Sequence, residues 1–487
     1  MAIVLLFDPH KFWHVAAAAV ALTLAIIACG HAVLYKRETR SAIAWVGFIC
    51  LVPMVGSLMY FVFGVNRLRR RAILLRGQME RYRADSVPGE CLPEKLPELL
   101  PPHASHMNLL ARVVGAVVAR PILPGNLIEP LINGDNAFPA MLAAIAAARK
   151  TVSLQTYIFD RDDVGIEFAR ALGDAARRGV EVRVLIDAAG TRYSWPSILG
   201  ELRSQQVKHA RFLPTMAPWS VTTLNMRTHR KLLVIDGMDG FTGGMNIRAG
   251  NCLLKHPASP VQDIHFHVRG PVVTQLQEAF TDDWMFTTKE ALRGEAWFPK
   301  PQEHGNMLVR GITDGPDEDF EKLRWTLLGA LSIARRSVKI VTPYFLPDAA
   351  IVSSLILAAM RGVKVEILLP SINNLPVVHW ASRSMWWQIL EHGCHIWLTA
   401  PPFDHSKLMV VDGCWTLVGS ANWDARSLRL NFEYNLECYD PVFAAQLEGL
   451  IEEKRKSGRE VTMEEVDARS LPIRLRDGLA RLLSPYL

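Results

Sequence analysis

The chain has little that would build a disulfide framework or a metal centre. Its seven cysteines are odd in number, and no two form a C-x-x-C pair. Cys29 and Cys50 lie in apolar runs, so buried free thiols in a reducing compartment are the simplest reading. Carboxylates do not cluster with histidines at metal-ligand spacing, and no metal or other cofactor is expected. A strong excess of one charge is missing too. Lys and Arg number 54 against 48 Asp and Glu, a net charge of +6 that suits a phosphate-bearing partner without choosing between nucleic acid and anionic lipid. No array of interleaved aromatic and basic residues stands out, which argues against nucleic acid. With 50% apolar and 21% charged residues, the composition excludes disorder and provides for a large core.

Charge is absent altogether from two stretches near the N-terminus. Phe12 to Tyr35 is interrupted only by His14, Thr23 and His31, and Ser41 to Val65 carries no charged residue. Each is long enough, as a helix, to cross a hydrocarbon core of about 30 Å. No small-residue cleavage pattern marks the first as a signal peptide. The expectation is a two-helix transmembrane hairpin and basic juxtamembrane segment over residues 1–83, with Pro53 and Gly56 able to kink the second span or make it re-entrant. Arg67, Arg69, Arg70, Arg71 and Arg76 follow it and place the remainder of the chain in the cytoplasm, although Lys36, Arg37 and Arg40 lie in the intervening loop. Residues 84–108 contain five prolines and read as a linker.

Beyond residue 109 the sequence repeats. Thr151 to Thr156 and Ser337 to Thr342 both have strand character, each preceded by a helical stretch ending in two basic residues. Each is followed by a helical segment, then Arg-Gly-Val (Arg178 to Val180, Arg361 to Val363), then an apolar strand at Val182 to Ile186 or Val365 to Leu369. Strand, helix, strand implies a parallel crossover. The expected architecture is two similar α/β domains, 109–295 and 306–455, joined by a bridge around Pro299 to Gly315 and followed by a tail, 456–487.

The chemistry-bearing residues occupy matching places. His229, Lys231, Asp236, Gly243 and Asn246 recur as His405, Lys407, Asp412, Gly419 and Asn422, with Lys at +2, Asp at +7, Gly at +14 and Asn at +17 from each His. Residues two apart on a strand share a face, so each His projects with its Lys. An Asp-Gly turn and a returning strand can bring the Asn back beside them. Two such halves supply two imidazoles, two cations and two amides. That set suits displacement at a phosphodiester, with one imidazole attacking phosphorus and the other protonating the leaving oxygen, and it needs no metal. Asp263 and Glu433, each eight residues before a proline, are the candidate carboxylates that orient the histidines. Asp236 and Asp412 also read as turn acids, and Asn246 and Asn422 as loop caps.

At these residues the sequence resembles the phospholipase D superfamily, whose HxK(x)4D motif occurs twice. The resemblance implies two α/β domains about a pseudo-twofold axis, a site between them, and transfer through a phosphohistidine. Arg426 to Glu433, the two N-terminal stretches and the tail from Leu471 to Leu487 make the chain similar to bacterial cardiolipin synthases, which join two phosphatidylglycerols and release glycerol. Carried over, His229, Lys231, Asp236, His405, Lys407 and Asp412 form the active-site set, with His229 expected to attack and His405 to act as acid and base. The first half has Gly244 where the second has Ser420, so a hydroxyl there is one-sided. The alternatives are a phospholipase D that uses water, a nuclease, and an anionic-lipid-binding membrane protein without turnover. In the tail, Leu475, Leu479, Leu482, Leu483 and Tyr486 recur at helical spacing, with Arg474, Arg476 and Arg481 largely off that stripe. The helix either lies in a membrane interface or docks on the protein.

Overall fold

A computed structural model of the chain describes residues 9–36, 38–65, 81–83, 90–214 and 226–484. The basic cluster at 67–76, Arg37, Pro88 and Tyr486 lie outside the described residues. The chain divides into two units, Met1–Arg71 and Ala72–Leu487.

In the first unit, the helix Pro9–Tyr35 contains a stretch, Trp13–Tyr35, long and apolar enough to cross a membrane. The second apolar stretch differs from the expected continuous span. It breaks into helices Thr39–Leu51 and Pro53–Met59 and a π-helical turn, Tyr60–Gly64. Pro53 cannot donate to the preceding turn, and Val52 leaves helical geometry at φ −137°. Gly56 then packs so tightly on Ile49 that a Cβ would lie 2.7 Å from the Ile49 Cα. Thirteen helical residues rise only about 20 Å, so neither piece spans alone and the two-helix hairpin is not confirmed. A hydrogen bond of 2.7 Å between the Tyr60 hydroxyl and His31 Nδ1 ties the broken segment to the long helix.

The second unit is built on one long mixed sheet. The first half supplies β1 (Leu123–Ile132), β2 (Thr151–Thr156), β3 (Glu181–Asp187), β4 (His209–Phe212), β5 (Leu232–Ile235), β6 (Asp239–Gly243) and β7 (Ile264–Arg269). The second supplies β8 (Met307–Asp314), β9 (Ser337–Val341), β10 (Lys364–Pro370), β11 (His395–Thr399), β12 (Leu408–Val411), β13 (Trp415–Gly419), β14 (Asn431–Tyr439) and β15 (Arg459–Val461). Their order is β4-β3-β2-β5-β6-β7-β1-β8-β14-β13-β12-β9-β10-β11-β15. Read outward from the antiparallel β1–β8 pair, the two halves repeat the same sequence of strands. The repeat seen in the chain is therefore a repeat in space about the β1–β8 seam.

The crossovers occur as the sequence implies. β2 and β3 are parallel across the helix Asp163–Arg177, and β9 and β10 across Ala349–Met360. The repeated Arg-Gly-Val has a local cause. Arg178 and Arg361 each donate to carbonyls at the end of the helix that leads into β2 or β9, Ile145 with Ala148 and Leu331 with Ala334. Gly179 and Gly362 sit at φ 90° and 86°, where a side chain is disfavoured. β2 is buried along its whole length, as expected when helices cover both faces of a sheet. One hydrophobic cluster draws on both halves, joining Phe266, Leu276 and Phe280 to Phe432, Phe443 and Leu447.

Two expected boundaries move. The proline-rich stretch is packed rather than a free linker where it is described. Leu96, Leu100 and Ala104 are buried with Leu327 and Leu355 of the second half, and the Cys91 amide bonds the Ile122 carbonyl at 2.9 Å. Prolines open its short helices at positions where their missing N–H costs nothing. The expected bridge at 299–315 contains β8, an eight-residue strand buried throughout and paired with both β1 and β14. Gly311 lies within it because the Tyr434 hydroxyl leaves no room for a Cβ, which would stand 2.3 Å away. The tail also belongs to the body: β15 extends the sheet beside β11, and the helix Leu471–Leu482 docks through Asp477 on Arg383 at 2.7 Å.

Candidate active site

The two HxK motifs lie immediately before β5 and β12. Each is pinned by the opposite half. The short strand Arg227–Thr228 runs parallel to Asn431 and Phe432, and the His229 amide donates to the Phe432 carbonyl at 2.8 Å. In the same way Phe403–Asp404 runs parallel to Val261 and Gln262, and the His405 amide donates to the Gln262 carbonyl at 2.8 Å. The residue after each accepting carbonyl is an acid, Glu433 or Asp263. His229 Nδ1 lies 3.0 Å from both Glu433 oxygens, and His405 Nδ1 lies 2.8 Å from Asp263 Oδ2.

The orienting acids are thus crossed: each half holds the imidazole of the other. A carboxylate only accepts, so this contact puts the proton on Nδ1 and leaves Nε2 with its lone pair. The acid side chains are 0% exposed and the imidazoles 11% and 13%, so within each pair it is the histidine that can meet a reactant. Burial alone would raise both acids, but His229 with Lys231 holds Glu433 below its ordinary value, and Lys407 with His405 does so for Asp263.

Lys231 and Lys407 are buried beside them. Lys231 Nζ donates to the His229 carbonyl at 2.7 Å, and Lys407 Nζ lies 3.1 Å from His405 Nδ1. Burial lowers Lys231 well below its ordinary value and Lys407 to about 8, and the Lys407 cation further disfavours the charge on Lys231. Burial also lowers both histidines. It is opposed chiefly by Glu433 at His229 and reinforced by Lys407 at His405, which falls to about 4.

Asp236 and Asp412 stand elsewhere. They sit in left-handed turns at the far ends of β5 and β12, with Gly237 and Gly413 also at positive φ. Asp236 accepts from the amides of Arg149, Lys150 and Thr151 at 2.6–2.9 Å. Asp412 accepts from Arg335, Arg336 and Ser337 and pairs with His106 at 2.8 Å. Five residues beyond the lysine, about 16 Å along a strand, they anchor the start of β2 and β9 rather than touch the imidazoles. The expectation that they join the reacting set is corrected. Asn246 braces a loop, accepting from the Ile158 amide at 3.1 Å, whereas Asn422 keeps a buried Oδ1 without a partner beside Lys407.

Several contributors escaped the sequence reading. Tyr157 and Tyr344 set ring edges against His229 and His405, with centroids 5.4 and 6.2 Å apart. Both follow the repeated strands β2 and β9, so extending the repeat by a few residues exposes them. Ser420 donates to Glu433 at 2.5 Å, while a Cβ on Gly244 would stand 2.7 Å from an Asp263 oxygen. Arg230, between His229 and Lys231, donates to the Glu433 carbonyl at 3.1 Å and pairs with Asp283 at 3.0 Å.

With this geometry in hand, the comparisons with known proteins are specific. The family described as cardiolipin synthase, PLD-like domain, matches residues 141–284 and 327–455, each segment containing one HxK motif. The chain is 32% identical to a cardiolipin synthase of Geobacillus kaustophilus over 93% of this chain and 90% of that one. It is 32% identical to cardiolipin synthase A of Pseudomonas fluorescens over 99% of each. The chain belongs to the cardiolipin synthase family. Members of this family are phosphatidyltransferases of the phospholipase D type. Residues 23–64 match a phospholipase D-nuclease N-terminal segment, which covers most of the apolar unit. The phosphatidylserine synthase of Haemophilus influenzae shares the fold, with a TM-score of 0.59 at 15% identity over 78% of this chain and 100% of that one.

Proposed function

We propose that this family member joins two phosphatidylglycerols into cardiolipin and glycerol by two displacements at one phosphorus. The crossed His229–Glu433 and His405–Asp263 pairs carry this reading, because each turns Nδ1 to a buried carboxylate and leaves Nε2 for the reactant, with a buried lysine two residues along the chain. His229 Nε2 forms a bond to phosphorus as the bond to the glycerol oxygen breaks, and His405 gives that oxygen its proton. The hydroxyl of a second phosphatidylglycerol then gives its proton to His405 and attacks phosphorus, and the phosphorus–nitrogen bond breaks. Lys231, Lys407 and Asn422 hold the non-bridging oxygens. The low value of His405 gives the substrate a part in the chemistry: its phosphate neutralises the lysines and restores the imidazolium the first step needs.

We place the catalytic body on the cytoplasmic face of a bacterial inner membrane, because the larger basic cluster of the sequence follows the second apolar stretch. Purified full-length chain given phosphatidylglycerol alone is expected to form cardiolipin and glycerol in equal amounts. Phosphatidic acid without cardiolipin would defeat the synthase reading. Trapping with substrate labelled at phosphorus is expected to mark His229; label on His405 reverses the two roles.

A further inference from the structure

The C-terminal helix Leu471–Leu482 turns its polar side inward and its leucines outward. Asp477 is buried against Arg383, Arg469 and Arg476, and the Arg476 guanidinium lies 4.4 Å from the Trp380 ring centroid. Leu471, Leu475, Leu479 and Leu482 are 58–73% exposed. At 100° per residue these four leucines fall within one 80° stripe, and Arg474 and Arg481 lie along a single edge of it. A water-soluble docked helix has the reverse arrangement, with its leucines against the body.

The helix also connects to the catalytic mouth. It packs on the helix Pro376–Arg383. The loop preceding that helix carries exposed Ile372 and Leu375, and its Asn374 accepts from the Tyr344 hydroxyl at 2.7 Å. Tyr344 is the ring against His405. On the other side, Tyr157 against His229 touches Tyr193, whose loop presents Trp195 at 96% exposure. Both histidines are thus linked, through a tyrosine, to an apolar tip in solvent.

We propose that the leucine stripe, together with these tips, seats in the interface of an anionic phospholipid bilayer and holds the mouth against its lipid. The flanking Arg474 and Arg481 match anionic headgroups, and the leucines match the acyl boundary. The choice of a bilayer as occupant rests on the lipid reaction proposed above.

The test uses the full chain in vesicles, with a fluorophore on Leu479→Cys and the signal of identically treated parent chain subtracted for its native thiols. Quenching by nitroxides on the lipid chains is expected in vesicles containing phosphatidylglycerol, and less in phosphatidylcholine alone. No quenching in either overturns the proposal, as does shielding that depends on protein concentration, which would assign the stripe to a second copy. As a second reading, Leu475→Gln with Leu479→Gln should raise several-fold the surface concentration of phosphatidylglycerol giving half-maximal rate. Its turnover on dispersed short-chain phosphatidylglycerol should stay unchanged. Equal kinetics with vesicles also overturn the proposal. Failure of the parent chain to make cardiolipin from the short-chain lipid would count against the reaction instead, and the quenching result would stand apart from it.

Discussion

The two halves build the same device from different parts. Around His229, the long Glu433 side chain reaches across the seam and is held by the Ser420 hydroxyl and the Asn431 amide. Around His405, the shorter Asp263 accepts from the Ile264 amide, and Gly244 leaves the space that its carboxylate and Lys407 fill. A hydroxyl thus serves one acid while a missing side chain serves the other. The shared requirement is a desolvated carboxylate on Nδ1, and the means of meeting it are free to differ. Because each acid comes from the opposite half, neither half holds a complete pair.

The largest effects should come from the imidazoles. His229→Ala and His405→Ala are each expected to cut turnover by on the order of 10⁴-fold or more, and the double variant by little beyond that, since the pair acts as one unit. Glu433→Gln and Asp263→Asn keep size but lose the charge, and a loss of about 10²–10⁴-fold in kcat is expected from each. Ser420→Ala should be milder, about tenfold, the low end of the worth of one hydrogen bond to a carboxylate. It should act on His229 alone, and an equal change at His405 would break the comparison.

pH separates the halves as well. Lys407 carries its charge below about 8 and loses it as pH rises through that value, so kcat/KM is expected to fall on the alkaline side there. Lys407→Arg, with a side chain charged at every working pH, should shift that limb upward. An unmoved limb would assign it to another group.

The smallest effect on chemistry belongs to the turn acids. Asp236→Ala and Asp412→Ala each strand several amides, and losses of about 1–3 kcal/mol in stability are expected, read as a lower Tm. Asp412→Ala should be the more damaging, because it also strands His106, whose ring is buried. Enzyme that remains folded should keep its kcat.

Much of this was legible in the chain. The paired offsets marked both histidines and lysines, and the recurring strands, helices and Arg-Gly-Val gave the two crossovers. The sequence singles out Asp263 and Glu433 but not their exchange, because strand order along the chain does not say which half faces which. Asp236 and Asp412 shared the motif's regularity for a structural reason: the hairpin needs an acceptor and a left-handed turn wherever it occurs. Gly243 and Gly419, at φ 150° and 156°, repeat for the same kind of reason. The proline count hid the packed Leu96 and Leu100, whose four-residue spacing was the available signal. Pro53 marks a possible kink in the sequence, yet hydropathy alone favours one uninterrupted span.

The exchange of acids is most directly tested by imidazole nitrogen NMR on the Asp263→Asn chain. The His405 resonances and their titration should move while those of His229, paired with Glu433, stay in place. Movement confined to His229, the histidine of Asp263's own half, would contradict the account.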